Sequence, residues 1–547
     1  MTESEATHQA VRVSARPARA FVLAAVFACA ACGLVYELAL VALGSYLVGN
    51  SITQASIVLS VMVFAMGVGS LAAKPFQRHA VAAFALVEGA LALLGGLSVL
   101  GLYAAFAWLD LYTPALVAVA FLVGGLIGAE IPLLMTLLQR IRRQDASSAV
   151  ADLFAADYVG ALVGGLAFPF LLLPAFGQIK GALIVGMVNA VAGIAVVLWL
   201  FRGQVRRGAR TVLWGGMAVV IAVLCGTYVL ADGFEADARQ ALYRDPIALA
   251  ERTRYQEIVI TRAVRLSGRP DLRLFLNGDL QFSSVDEYRY HESLVHPALA
   301  GTRGRVLILG GGDGLALREV LRYRDVRAVT LVELDPEMTR LARSYGALAD
   351  LNDNSLGDPR VRVVNADAFG WLRAHPGVAE VQAAAGARAG ARSAPGVEAA
   401  GYDTVIVDMP DPDDVPTAKL YSVEFYGLVR RLLAPDGRMV VQSGSPFFAP
   451  KSYWCIEKSI RAAGFATTPY HVDVPSFGDW GYVLAAAGSS PPALRLPADA
   501  PSLRFLDQSV LTAALVFGRD LRHRDVEANT LVKPRIIDYE RQEWRDL

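Results

Sequence analysis

Val306-Leu-Ile-Leu-Gly-Gly-Gly-Asp-Gly314 decides the fold of the C-terminal half of this chain, and Thr404-Val-Ile-Val-Asp-Met-Pro-Asp411 repeats its sense further on. Each is a short, almost wholly apolar run that stops abruptly in small or acidic residues. Parallel strands look like this when helices cover both faces of their sheet and their C-terminal ends open into a ligand crevice. The acidic ends, Asp313 among its glycines and Asp408 with Asp411, point to a nucleoside-binding enzyme that handles a positively charged group.

Working outward from that pair of strands, the composition changes. The chain has 547 residues, 54% of them hydrophobic and only 19% charged, too apolar on average for a soluble enzyme. The excess lies ahead of Ala231, where long apolar runs alternate with short basic joints. Seven runs, near 20–48, 52–73, 80–107, 113–139, 153–175, 180–201 and 211–231, are each long enough to cross a hydrocarbon layer of ~30 Å. The first is too long for a cleaved signal peptide, and further runs follow it. Residues 1–19 read as an N-terminal tail and 20–231 as an all-α transmembrane domain of about seven helices.

Basic residues are unevenly shared among the joints. Arg12, Arg16, Arg19, Lys74, Arg78, Arg140, Arg142, Arg143, Arg202, Arg206, Arg207 and Arg210 fall on one side, and only Lys180 on the other. This asymmetry implies a cytoplasmic N-terminus and a multi-pass protein of the cell membrane. With seven crossings the soluble part emerges on the outer side; one crossing more or fewer reverses that, so its side is left open. Glu37, Glu88, Glu130 and Asp157 lie inside apolar spans, where a charge is costly. They read either as protonated and hydrogen-bonded groups or as a path for a cation. Net charge near zero and the lack of a basic patch with interleaved aromatics give no sign of nucleic acid. The seven histidines are scattered with no metal-ligand cluster, and Cys29, Cys32, Cys225 and Cys455 carry no disulfide pattern.

Beyond the membrane runs, Tyr255–Thr261, Ala263–Leu266 and Leu272–Leu276 read as short strands, with a tight turn at Asn277-Gly278, in a small β module over 252–300. A βαβ pattern then takes over in a domain spanning 301–490. Its strands are Val306–Leu309, Val329–Val332, Val361–Val364, Thr404–Val407 and Met439–Val441. Helices are expected at Leu315–Tyr323 and Ser422–Leu433. Residues 380–400 read as an exposed insertion, and 491–547 as a helical extension packed on the domain or on a neighbouring subunit. The fold class is an all-α transmembrane bundle followed by an α/β Rossmann-like, methyltransferase-type domain with a small N-terminal β module.

The chemistry follows from the strand ends. Gly310, Gly311, Gly312 and Gly314 allow a tight turn that brings backbone N–H groups close to a ligand. Glu333 ends the next strand, where a carboxylate accepts both hydroxyls of a ribose. These features fit NAD as well as an adenosyl-sulfonium compound, but Asp313 beside the turn suits a cation better than a pyrophosphate. Asp367 ends the third strand, within reach of an adenine amine. Asp408 and Asp411 make the crevice mouth strongly negative. A carboxylate there can hold a protonated amine, take its proton and direct the lone pair at an electrophilic carbon.

The string Tyr255-Gln256, Gly278-Asp279-Leu280-Gln281, Asp286 to Glu292, Gly310 to Gly314, Glu333-Leu-Asp335, Asp358-Pro-Arg360, Asp367-Ala368 and Asp408-x-x-Asp411-Pro412 resembles the polyamine aminopropyltransferases, or spermidine synthases. It covers about 252–485, and the whole chain resembles the membrane-fused branch of that family. The resemblance implies transfer of the aminopropyl group of decarboxylated S-adenosylmethionine, a co-substrate, to putrescine or a similar diamine, with no tightly bound cofactor and no metal. It implies Gln256, Gly310, Gly312, Asp313, Gly314, Glu333, Asp367, Ala368 and Pro416 at the co-substrate. At the amine it implies Gln281, Tyr290, His291, Asp313, Asp408 and Asp411, with Asp408 as proton acceptor. The lipid bilayer and further copies of the chain, as a dimer or tetramer, are the expected partners.

Two positions depart from the family pattern. Asn277 stands where the family has Asp, and Pro416 stands one residue later than the family's proline, lengthening the gate segment Asp413–Leu420. Two other readings are a methyltransferase using S-adenosylmethionine, whose α-carboxylate Asp313 would repel, and a polyamine transporter or sensor with a non-catalytic domain.

Overall fold

The computed structural model describes residues 15–48, 51–109, 111–141, 146–195, 201, 207–264, 270–378 and 401–543. The chain forms two compact units, Met1–Arg244 and Asp245–Leu547.

The first unit is helical: α1 Ala15–Val48, α2 Ser51–Ala72, α3 Ala80–Ala104, α4 Tyr112–Ile141, α5 Ala146–Ala167, α6 Leu173–Ile194 and α7 Arg207–Ala241. Small residues let these helices touch backbone to backbone. A Cβ placed on Gly69 of α2 would lie 1.8 Å from the carbonyl oxygen of Gly125 in α4, and one on Gly164 of α5 would lie 2.3 Å from that of Ala31 in α1. Such contacts suit helices that meet in lipid, where packing replaces the hydrophobic drive to associate. Together these helices make the chain a multi-pass membrane protein.

Two of the seven runs expected from sequence are not separated by length and composition alone. Among the described residues, 6 helical runs are long and apolar enough to cross a membrane, and the fifth, Val150–Ile194, is 45 residues long. The spans expected separately near 153–175 and 180–201 share this one run as far as Ile194. A backbone kink inside α6, at Gly177 with φ 72° and ψ −176°, breaks the run, and Gln178 and Lys180 follow it directly.

The second unit opens with an antiparallel sheet of β1 Ile247–Arg252, β2 Glu257–Val264, β3 Pro270–Leu276 and β4 Asp279–Ser283, in that order. Its first strand, Ile247–Arg252, precedes the module expected from sequence and follows the joint 242–246 after α7. Strand β2 runs on through Ala263 and Val264, so the separate strand expected at Ala263–Leu266 is not formed there; 265–269 lie outside the described residues. Asn277 at φ 53° and Gly278 at φ 98° turn the chain between β3 and β4. Two successive positive φ values match the twist of a two-residue hairpin, which is why Asn-Gly is placed there.

A seven-stranded sheet follows, ordered β10-β11-β9-β8-β5-β6-β7. Its strands are β5 Arg305–Gly310, β6 Ala328–Glu333, β7 Val361–Asn365, β8 Tyr402–Asp408, β9 Leu433–Gln442, β10 Ala466–Val474 and β11 Gly478–Ala486. The first five are parallel, while β11 runs antiparallel to β9 and β10 to β11. Alternate residues feed two cores: Val306, Ile308 and Ile406 pack on one face, and Leu307, Leu309, Val405 and Val407 on the other. Burial on both faces explains the unbroken apolar runs from which the fold is read. The strand order reverses between β5 and β8, the position at which such sheets hold ligands.

The expected insertion, 380–400, lies outside the described residues. The extension from Pro491 is mostly irregular rather than helical. It packs on this unit itself: Leu494, Leu506 and Leu511 join the first core and Val526, Ile536 and Ile537 the second. Buried Glu292 ties it down by accepting from the backbone N–H groups of Arg504, Phe505 and Leu506 at 2.8, 2.9 and 2.9 Å.

Candidate active site

The glycine turn is shaped by its neighbours on β8. Gly310 pairs with Asp408 across the sheet, and Gly311 N–H donates to the Asp408 carbonyl at 3.0 Å. With φ 84°, Gly310 sits where a Cβ would come within 2.0 Å of that carbonyl. Only glycine fits both restrictions. Beyond the turn, the helix α9 Leu315–Leu321 begins, and Asp313 Oδ1 accepts from Leu315 N–H at 2.8 Å. Asn352 Nδ2 donates to the Asp313 carbonyl at 2.8 Å and fixes the residue's backbone.

Asp408 ends β8 facing the helix α8 Glu287–Val295. Tyr290 Oη donates to Asp408 Oδ1 at 2.6 Å. The Tyr290 ring is held edge-on by His291 and Phe477 and lies against Tyr482. Burial, with Asp313 nearby, pushes the Asp408 carboxyl up to about 6, while His291 and the Tyr290 bond oppose the rise. Burial also raises Asp313, against the pull of His291 and the Leu315 N–H. His291 Nδ1 faces the carbonyl and Oε2 of Glu287 at 2.8 and 2.9 Å, and Arg318 Nη2 pairs with that Glu287 oxygen at 2.9 Å. Burial works against a charged His291, but Glu287, Asp313 and Asp408 together raise its pKa above the ordinary value.

On the other side of the turn, Glu333 ends β6. Its Oε1 accepts from Asp335 N–H at 2.9 Å, and burial first, then Asp335 and Asp313, push its carboxyl up to about 7. Asp335 in turn accepts from Gln256 Nε2 at 3.0 Å and Thr253 Oγ1 at 2.8 Å. The loop between β1 and β2 is thereby pinned to the end of β6, and Gln256 is carried to the acidic strand end although β1 and β2 belong to another sheet.

Asp411 lies beyond Asp408 in a loop held by two residues that the motifs do not point to. Gln442, the last residue of β9, donates to Asp411 Oδ1 at 3.2 Å and to Tyr421 Oη at 2.8 Å. Tyr421 Oη donates to the Pro410 carbonyl at 2.9 Å. Burial, followed by Glu540 on the C-terminal helix Arg535–Glu543, raises the Asp411 carboxyl, with Asp413 and Asp279 adding to it. Gln442 carried a usable signal: like Asp408 it is a polar residue closing an apolar strand.

The remaining expected residues lie further out. Asp367 caps the helix Ala368–Ala374 by accepting from Gly370 N–H at 2.9 Å, and its other oxygen meets Lys419 Nζ at 3.0 Å. Ala368 is buried behind it. Pro416 is exposed in the first turn of the short helix Val415–Ala418, which Asp414 and Thr417 close with a reciprocal cap. Gln281 donates to the Asp279 carbonyl at 3.1 Å rather than to Asp408 or Asp411. Asn277 is a turn residue whose Oδ1 accepts from Glu257 N–H at 2.9 Å.

The structure thus brings Asp313, Tyr290, His291 and Asp408 together at the crevice between β5 and β8, with Glu333 and Gln256 on one flank and Asp411 on the other. Residues 287–495 match the family model described as the spermine/spermidine synthase domain. Over 531 residues the chain is 64% identical to polyamine aminopropyltransferase 1 of Streptomyces coelicolor, covering 97% of this chain and 96% of that one. The chain belongs to the polyamine aminopropyltransferase family. It is also 49% identical to polyamine aminopropyltransferase 2 of the same organism over 554 residues. With the polyamine aminopropyltransferase of Mycobacterium tuberculosis it shares 47% identity over 550 residues, covering 100% of both chains. The membrane helices fall inside these matched lengths, so this branch of the aminopropyltransferases carries them as a common part. As a member of the family the chain is a transferase.

Proposed function

We propose that this aminopropyltransferase moves the aminopropyl group of decarboxylated S-adenosylmethionine to putrescine, giving spermidine and methylthioadenosine. The observation that carries this reading is the 2.6 Å bond from Tyr290 to Asp408 in a crevice lined by further carboxylates. Asp408, raised to about 6, is mostly ionised at neutral pH yet basic enough to take a proton from an ammonium held against it. The freed amine attacks the aminopropyl carbon beside sulfur. A C–N bond forms, the C–S bond breaks, and the sulfonium leaves as a neutral thioether, so the leaving group needs no acid.

The carboxylates divide the remaining work. Asp313 binds the aminopropyl ammonium and Asp411 the far ammonium of the diamine. Glu333 and Gln256 hold the adenosyl ribose, with Asp367 and Ala368 at the adenine and Pro416 at the rim. His291 and Tyr290 position Asp408, and Gln281 lines the outer part of the amine site. The proposal includes a homo-oligomer, dimer or tetramer, and no nucleic-acid partner, in keeping with the net charge of zero.

The test uses the full-length protein in detergent with putrescine and decarboxylated S-adenosylmethionine. Spermidine and methylthioadenosine forming in equal amounts is the expected result. Binding without either product would favour a sensor, and consumption of S-adenosylmethionine instead would favour a methyltransferase.

A further inference from the structure

We propose that the membrane unit contains a divalent metal site built by Glu88 of α3, Glu130 of α4 and Cys29 of α1. One ligand atom from each of these three residues lies within 4.8 Å of the others, and all three residues are buried. Cys29 Sγ is 3.5 Å from Glu88 Oε1. Glu88 is 0% and Glu130 4% exposed. In sequence these residues lie on three separate helices, and the absence of histidine hides them from any search for common metal-ligand spacing.

Independent polar groups point into the same place. Asn189 of α6 is 0% exposed and turned toward Glu88, too far for its amide atoms to close a hydrogen bond of normal geometry. One turn on, Gly193 packs so tightly that a Cβ there would lie 2.7 Å from Glu88 Cβ, so α6 is pressed directly onto this carboxylate. Apart from each other, Glu88 Oε2 and Glu130 Oε1 have no group closing a hydrogen bond on them. Native interiors satisfy more than nine in ten such groups. So many unsatisfied atoms around one carboxylate pair mark a ligand site rather than a packing accident.

Charge and size select the ligand. Two carboxylates without a basic partner are costly in the hydrocarbon layer, and one divalent cation neutralises both. α6 closes directly onto Glu88 at Gly193, which favours a small ion over an organic ammonium. Carboxylate oxygens, an amide oxygen and one thiol form a four-donor set of mixed softness. That suits a first-row ion such as Zn²⁺ or Mn²⁺ better than Ca²⁺, which takes six to eight oxygens.

The full-length protein in nanodiscs, stripped with chelator and titrated with Zn²⁺ and Mn²⁺, tests the proposal. One saturable equivalent per chain is expected, with at least a tenfold loss of affinity in Glu88→Gln and Glu130→Gln. Substitution by Co²⁺ in the unmutated protein gives a readout that does not depend on variant folding: a sulfur-to-metal charge-transfer band, lost in Cys29→Ser. No saturable binding, equal binding by the Gln variants, or a Co²⁺ spectrum without sulfur would each overturn the site. Protonated carboxyls sharing a hydrogen bond would then be the alternative.

Discussion

Tyr290 Oη lies 2.6 Å from Asp408 Oδ1, and the proton it donates favours the ionised carboxylate. The burial that raises Asp408 and the bond that lowers it are therefore supplied by different elements, the sheet interior and α8. Replacing Asp408 by Asn keeps the shape and removes the acceptor. We expect kcat to fall by ~10²–10⁴-fold with methylthioadenosine affinity little changed; a loss under about fivefold would assign the base elsewhere.

Tyr290→Phe removes the bond that stabilises ionised Asp408, so the carboxyl rises above about 6. The acidic limb of kcat/KM should move to higher pH by about one to two units, since a hydrogen bond to a charged group contributes roughly 1.5–3 kcal/mol. An unmoved limb would mean that the limb reports another group.

Asp313→Asn separates the parts of the co-substrate. Binding of decarboxylated S-adenosylmethionine should weaken by about tenfold or more, while methylthioadenosine, which lacks the aminopropyl ammonium, should bind nearly as before. Equal losses for both, measured by calorimetry, would reject Asp313 as the ammonium partner.

The two crowded glycines should fail differently. At Gly310 a Cβ meets backbone, the Asp408 carbonyl at 2.0 Å, whereas at Gly312 it meets the Glu333 carboxylate at 2.6 Å. Gly310→Ala should yield little folded protein. Gly312→Ala should fold but raise KM for the co-substrate by about tenfold, because Glu333 must turn away. Normal KM in folded Gly312→Ala would remove Glu333 from the ribose.

Stability should depend on pH in the opposite sense from most acidic sites. Asp408 and Glu333, raised to about 6 and about 7 in the fold, hold protons that the unfolded chain, with pKa near ~4, has already released. Their contribution is full below the unfolded pKa and is lost as pH rises toward 7. The thermal midpoint of the full chain should fall over that window, and Glu333→Gln should flatten the slope. An identical slope in the variant would assign the effect to other groups.

The central parallel strands were legible because burial on both faces leaves an unbroken apolar stretch, as in Val306–Leu309 and Val405–Val407. The antiparallel pair β10 and β11 was not. Thr467, Thr468, His471 and Asp473 break its apolar pattern, and burial there varies along the strand. Within the site, acids at strand ends declared themselves, and of their supports only Gln442, closing β9, carried a like signal. Gln442 and Tyr421 reach Asp411 from separate elements, and no spacing along the chain encodes that meeting. In the membrane unit, the kink at Gly177 falls in the joint read between 175 and 180, where Gln178 and Lys180 interrupt the apolar run.

An acidic crevice with carboxyls raised toward neutrality has a calorimetric consequence. When a polyamine seats its ammonium groups against Asp408 and Asp411, the carboxyls that still hold protons at that pH will release them. The apparent heat of amine binding should then vary with the ionisation enthalpy of the buffer, and affinity should climb with pH until the amine itself begins to lose charge. Amine occupancy and proton release become a single linked equilibrium, so local acidification would empty the crevice without any change in shape.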